Sequence, residues 1–178
     1  MTSHAHLLVT PHTKDGISRM IQMLGRYYVP YFNYTYRSSG TLWRGRYKAS
    51  PIDSGPFALT CYRYIELNPA RANRVTHPAE YLLSSHRSNA LGENDGLLKP
   101  RPLFLNLVGS ADARQAAYLA LFEVALNEKT LEEVRSSLNK AWVLGSEQFK
   151  SRNAAELNRR ACPLPKGCSR KSAQREGA

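Results

Sequence analysis

Pro11, Pro30, Pro56 and Pro69 partition the first seventy residues into segments of different kinds. A proline fixes its own φ, lacks an N–H donor and biases the residue before it away from the helix, so each one bounds or strains an element. Residues 4–10, ahead of Pro11, contain the apolar run Leu7, Leu8, Val9 and read as a strand. Asp15 then stands as an N-cap before Ile17, Met20, Ile21, Leu24, Tyr28 and Tyr31, whose three- and four-residue spacing predicts an amphipathic helix. Pro30 falls inside that helix, and an interior proline costs about 3 kcal/mol, so a kink or an early end is expected there.

Ser38-Ser39-Gly40 reads as a loop, and residues 42–52 as a second strand with Arg44, Arg46 and Lys48 at alternate positions and therefore on one face. Ser54-Gly55-Pro56 opens another helix, and Pro69 closes it. Residues 76–110 are rich in Pro, Gly, Ser and Asn and read as irregular connection; 112–127, 129–141 and 146–160 read as three helices. From Cys162 onward the chain reads as a basic tail.

Charge narrows the function. The 178 residues carry 25 Lys and Arg against 14 Asp and Glu, a balance that favours a polyanionic partner. Residues 16–52 hold no acid at all; they hold Arg19, Arg26, Arg37, Arg44, Arg46 and Lys48 among Trp43, Phe32 and a series of tyrosines. Cations neutralise phosphates and aromatic faces stack on unpaired bases, although aromatics at helical spacing serve equally as core. Cys61, Cys162 and Cys168 form no CxxC pair, which argues against a zinc ribbon or a disulfide framework. No apolar run reaches the ~18 residues of a membrane span, and no secretory leader is visible, so the expected location is the cytoplasm.

Two pairs of residues carry the chemistry. His4 and His6, two apart on the expected strand, point to one face and can share a cation. They can equally be plain polar residues near a chain end. Tyr64 and Asn68 are i and i+4, one helical turn apart, which sets a phenol beside an amide oxygen able to act as a third ligand. Tyr64 also lies on a stripe with Phe57 and Cys61 that could be core, and Tyr62 is a rival nucleophile on another face.

The ordered segments HAHLLVTP, DGISRMIQMLGRYYVPYFN, SGTLWRGRYKAS, CYRYIELNPARA and SSHRSNALG resemble the REP-associated tyrosine transposases, a branch of the HUH (His-hydrophobic-His) single-tyrosine transposases. WVLGSEQFK is similar to that family's C-terminal extension. The resemblance implies an α+β fold, an antiparallel sheet with flanking helices and a central HUH strand. It implies His4, His6 and Asn68 as ligands of Mg²⁺ or Mn²⁺ (imidazoles alone would suggest zinc) and Tyr64 as the nucleophile. Arg37, Arg44, Arg46 and Lys48 are the expected DNA contacts, and the expected partner is single-stranded hairpin DNA, bound by a monomer or a homodimer.

Met1 stands three residues before His4, where relatives carry several tens of residues, so the resemblance implies a catalytic domain lacking its first strand and helix. The expected organisation is that domain over 1–92, a connection over 93–111, a helical extension over 112–160 and a basic flexible tail over 161–178. Pro30, Leu83 and the Gly167–Lys171 stretch depart from the family pattern. A second reading is a catalytically inactive DNA-binding remnant of such a transposase. A basic RNA-binding or ribosome-associated protein would explain the charge but not the spacing of His4, His6, Tyr64 and Asn68.

Overall fold

The computed structural model describes residues 4–100 and 102–163. Its elements are helical: α1 (Gly16–Tyr36), α2 (Pro56–Glu66), α3 (Asn68–Arg71), a 3-10 turn (Pro78–Glu80), α4 (His86–Leu91), α5 (Pro102–Leu105), α6 (Ala111–Glu123), α7 (Glu128–Lys140) and α8 (Glu147–Glu156). Among the described residues there is no sheet, and a single parallel bridge joins Ile52 to Leu144. The expected α+β fold with an antiparallel sheet is therefore wrong for this chain.

The two expected strands fail for related reasons. Residues 4–10 do show the alternation that suggested a strand: His6 and Leu8 are half-buried, while Leu7 and Val9 are exposed. A period of two reports side chains turning to alternate sides; it does not provide a neighbouring strand to complete a ladder.

Residues 38–48 run back along α1. Asn33 donates to the Gly40 carbonyl, Gly25 lies against the Trp43 ring, and Ser18 is hydrogen-bonded to Tyr47. The lengths agree: from position 33 to 18 a helix spans about 22 Å, and from 40 to 47 extended chain spans about 23 Å. This strap lies on a helix, and a helix surface offers no free backbone ladder. Gly45, at φ +98, also takes a left-handed conformation that breaks the pleat between Arg44 and Arg46.

Pro30 neither ends α1 nor stops it early, since the helix continues to Tyr36. Arg37, with φ 51, then closes it in the left-handed cap conformation. Asp15 occupies the N-cap position but makes no side-chain cap, pairing instead with exposed Arg19 at 3.7 Å. No residue of this 21-residue helix is buried.

The core is organised around α2. Gly55 at φ +83 turns the chain, and Pro56 starts the helix at a position where its missing N–H is no loss. One side of α2 packs Cys61 and Tyr64 against Leu131 and Val134 of α7 and against Leu144. Tyr62 on another side meets a second cluster of Ala90, Phe104 and Tyr118 from α4, α5 and α6.

The helices expected over 112–127, 129–141 and 146–160 are present as α6, α7 and α8. Ser110, Asn127 and Ser146 cap them, each side chain accepting a first-turn N–H. The stretch read as irregular connection instead contains the 3-10 turn, α4 and α5, pieces too short to show a periodic apolar pattern.

Leu144 donates to the Pro51 carbonyl and accepts from Asp53, and the Asp53 carboxylate accepts from the backbone and hydroxyl of Ser146. Val143 donates to the Ala161 carbonyl, so residues 51–53, 143–146 and 161 are stitched together. Cys61 is a buried thiol and Cys162 an exposed one. Cys168, and the expected basic tail from residue 164 on, lie outside the described residues. No helix among the described residues is long and apolar enough to cross a membrane.

Candidate functional site

The N-terminal segment lies across the α2–α7 cluster. His6, Leu7 and Leu8 line a small cavity with Cys61, Tyr64 and Leu144. Its volume is about 40 Å³, near the ~30 Å³ share of one water, so a nucleotide does not enter it. Beside it the aromatic rings of three sequence-predicted residues meet. The His4 and His6 rings meet edge to face at 5.0 Å between centroids, and His6 meets Tyr64 in the same way at 5.6 Å. Arg71, the last residue of α3, places its guanidinium carbon 4.5 Å from the Tyr64 ring centroid and donates through Nη2 to the Tyr64 carbonyl at 2.8 Å.

Electrostatics here favour the neutral form of the His6 imidazole. Burial pushes the His6 pKa down, and the nearby positive charges of His4 and Arg71 push it further the same way. The Arg71 pKa is also lowered by burial, a pull that the charges of Tyr64 and Glu128 oppose; a guanidinium nevertheless stays charged at neutral pH. Tyr64 itself is mostly enclosed, with 7% of its surface exposed.

A divalent ion can be tested against these donors. An imidazole nitrogen binds a metal at about 2.1 Å and must be neutral to do so. Two rings with centroids 5.0 Å apart are within the span of one shared ion, and the lowered pKa of His6 keeps it in the ligating form. The spacing of the two imidazoles is compatible with one shared ion. Asn68 opens α3 with its backbone carbonyl accepting from Ala72, and it makes no described hydrogen bond to either imidazole. Among the described residues no group of three His, Cys, Asp or Glu side chains could hold a metal. The remaining oxygen donors would have to come from Asn68, from water or from a phosphate.

The expected DNA contacts sit elsewhere. Arg37 ends α1, and Arg44, Arg46 and Lys48 ride on the strap, all four exposed. Beside them α1 exposes Tyr27, Tyr31, Tyr34 and Tyr36, with Tyr27 at 72% and Tyr34 at 80%. Met20, Met23, Leu24, Tyr27, Tyr28 and Tyr31 line an open apolar hollow of about 440 Å³.

Sequence reasoning missed two features. Arg71 is one. The other is a buried polar network on the far side of α2. The Glu66 carboxylate, with no exposed surface, accepts from Ser85 Oγ at 2.6 Å and Asn89 Nδ2 at 2.8 Å, and lies 3.0 Å from His86 Nδ1. Tyr118 faces the same carboxylate; burial first, and then the Glu66 charge, push its phenol pKa up and keep it protonated. The available signal was a charge within the apolar run Tyr64-Ile65-Glu66-Leu67, four residues after Tyr62 and so on the Tyr62 face. Buried charge needs partners, so such a residue marks either a network or a site. Comparison of the chain with protein-family models, curated proteins and solved structures gives no match.

Proposed function

We propose that the protein is a DNA-cleaving and rejoining enzyme of the single-tyrosine transposase type, acting on single-stranded hairpin DNA in the cytoplasm. The observation that carries the reading is the run of ring contacts from His4 to His6 and from His6 to Tyr64, which joins distant parts of the sequence. Composition and charge do not account for that arrangement, whereas a metal-assisted tyrosine nucleophile would make use of it.

In this reading the Tyr64 phenol oxygen attacks the phosphorus of a phosphodiester. A bond forms between that oxygen and phosphorus, and the bond from phosphorus to the 3′-oxygen breaks. The phenol proton leaves to solvent, and the 3′-oxygen gains a proton. The products are a 5′-phosphotyrosine and a free 3′-OH. The covalent link conserves the phosphodiester bond energy, so attack by a 3′-OH restores Tyr64 without ATP.

His4 and His6, with Asn68, would hold Mg²⁺ or Mn²⁺. Such an ion, when bound, polarises a phosphoryl oxygen and offsets negative charge at phosphorus. Arg44, Arg46, Lys48 and Arg37 bind backbone phosphates away from the reacting bond and make affinity fall with salt. The exposed tyrosines of α1 offer faces for unpaired bases.

The test is incubation of the full chain with a single-stranded hairpin oligonucleotide and Mn²⁺, followed by a search for a protein–DNA adduct that survives denaturation. The reading expects an adduct mapping to Tyr64 and lost in Tyr64→Phe. An adduct that persists in Tyr64→Phe would overturn it.

The enclosure of Tyr64 within the α2–α7 cluster favours a second reading, a DNA-binding relative of such enzymes that does not cleave. It expects salt-sensitive hairpin binding that Tyr64→Phe leaves unchanged, and no adduct.

A further inference from the structure

Arg71 holds donors that the protein does not use. Of its three guanidinium nitrogens, Nη2 is bonded to the Tyr64 carbonyl, whereas Nε and Nη1 are shielded from solvent and have no hydrogen-bond partner. No carboxylate claims them. Glu128, the nearest acid whose charge Arg71 feels, is already bonded to Arg135 at 3.0 Å. A charged donor out of water without an acceptor is costly to maintain, so a ligand that supplies acceptors is favoured there. Nε and Nη1 lie on different edges of the guanidinium, so each can offer a charge-assisted N–H to a phosphate oxygen. The guanidinium lies against the ring of Tyr64 and close enough to His6 to influence its titration.

We propose that Arg71 is a further catalytic residue, one of whose unpartnered guanidinium N–H donors binds a non-bridging oxygen of the phosphodiester that Tyr64 attacks. The proposal rests on the reading of Tyr64 as nucleophile. A phosphodiester carries one negative charge, which grows at the non-bridging oxygens as the new bond to phosphorus forms. A fixed cation aimed at those oxygens favours the transition state over the bound substrate. Arg71 gives up no proton in the process.

Two measurements separate this proposal from the reading it rests on. The first is the rate of adduct formation between the full chain and a hairpin oligonucleotide in Mn²⁺, for wild type, Arg71→Lys, Arg71→Gln and Arg71→Ala. Removing one such donor costs about 10²–10³-fold in rate, so Arg71→Ala and Arg71→Gln are expected to fall by that factor. Arg71→Lys recovers part of the loss, and hairpin affinity changes less than tenfold in all three. Arg71→Gln keeps a donor for the Tyr64 carbonyl, so it controls for a fold lost in Arg71→Ala.

The second measurement is metal-free titration of the full chain with inorganic phosphate, read from the Tyr64 ring resonances. A shift in wild type that Arg71→Gln abolishes is expected. If Arg71→Gln forms adduct within twofold of wild type, the Arg71 proposal is overturned and the nucleophile reading stands. If wild type forms no adduct but shows the phosphate shift lost in Arg71→Gln, the catalytic proposal is overturned together with the nucleophile reading, and only a phosphate site remains. If neither adduct nor shift is seen, both are overturned.

Discussion

Helices α1 and α2 are both amphipathic, and the longer one contributes less to the core. α1 runs for 21 residues and buries none of them, whereas α2, with 11 residues, buries Ala58, Cys61, Tyr64 and Glu66. The apolar spacing of Met20, Leu24, Tyr28 and Tyr31 would suit a core helix, yet its described partner is the strap over 38–48. α2 has neighbours on two sides: α7 with Leu144 on one, and α4 through α6 on the other. Periodicity specifies which face of a helix is apolar. Whether anything covers that face depends on the rest of the chain.

The largest break in this comparison should come at Glu66. Glu66→Ala leaves the Ser85 hydroxyl, the Asn89 amide and His86 Nδ1 without their shared acceptor. Losing one side of a buried ionic or hydrogen-bonded pair costs about 3–5 kcal/mol, so chemical denaturation should show a shift of that size. A variant within about 1 kcal/mol of wild type would show that the network does not hold α4 to α2. Leu131→Ala, on the other face of α2, should cost about 2–5 kcal/mol by the cavity it leaves, whereas Tyr27→Ala on α1 should stay within about 0.5 kcal/mol. Equal losses from these two would mean that α1 is covered in solution.

The contrast also explains what could be read from sequence. α6, α7 and α8 are legible because their starts are local: Ser110, Asn127 and Ser146 cap them from within a few residues. The absent sheet is not legible, because strand pairing is non-local and residues 4–10 and 42–52 carry only the alternation of extended chain. His4, His6, Tyr64 and Asn68 can be named from spacing and from resemblance. Arg71 cannot, because its unpartnered donors and its place against the Tyr64 ring exist only once α3 folds back on Tyr64. Glu66 and His86 lie in quotable motifs, but their pairing needs α4, which is too short to announce itself.

Smaller effects sharpen the comparison further. A Cβ on Gly145 would lie 2.6 Å from the Asp53 Cβ and 2.7 Å from Phe149 Cδ1. Gly145→Ala should therefore destabilise by about 1–3 kcal/mol, seen as a lower thermal midpoint. Pro30→Ala restores a helical N–H in α1 and raises helix propensity by up to about 3 kcal/mol locally. With nothing buried on α1, the gain should appear as slower amide exchange around residue 30 and leave the global unfolding midpoint nearly fixed. A matching rise in the midpoint would tie α1 to the core.

The smallest effect is at Asp53. Its carboxyl pKa is held below the ordinary value chiefly by the Ser146 hydroxyl bond. A depressed folded pKa means stability that is complete above the unfolded value near 3.8 and lost as the pH falls through the folded one. Ser146→Ala should lower stability near neutral pH, through the lost Asp53 bond and the lost α8 cap, and should flatten the acid limb, since the Asp53 contribution is already absent at low pH. An acid limb identical to wild type would show that the stitch to α8 adds nothing.

The bridge between Ile52 and Leu144 has a kinetic consequence. Helices form from neighbours in sequence and do so early, but this bridge joins segments separated by most of the chain, and such contacts wait on the closure of a long loop. The cavity that receives His6 and Leu8 is walled by Ile52 and Leu144 together, so the N-terminal segment has its complete seat only after that closure. The ring cluster is thus expected to assemble after the helices, a sequence that pulse-labelled amide exchange can check. A chain can keep its helical spectrum after it has lost the place where its chemistry would occur.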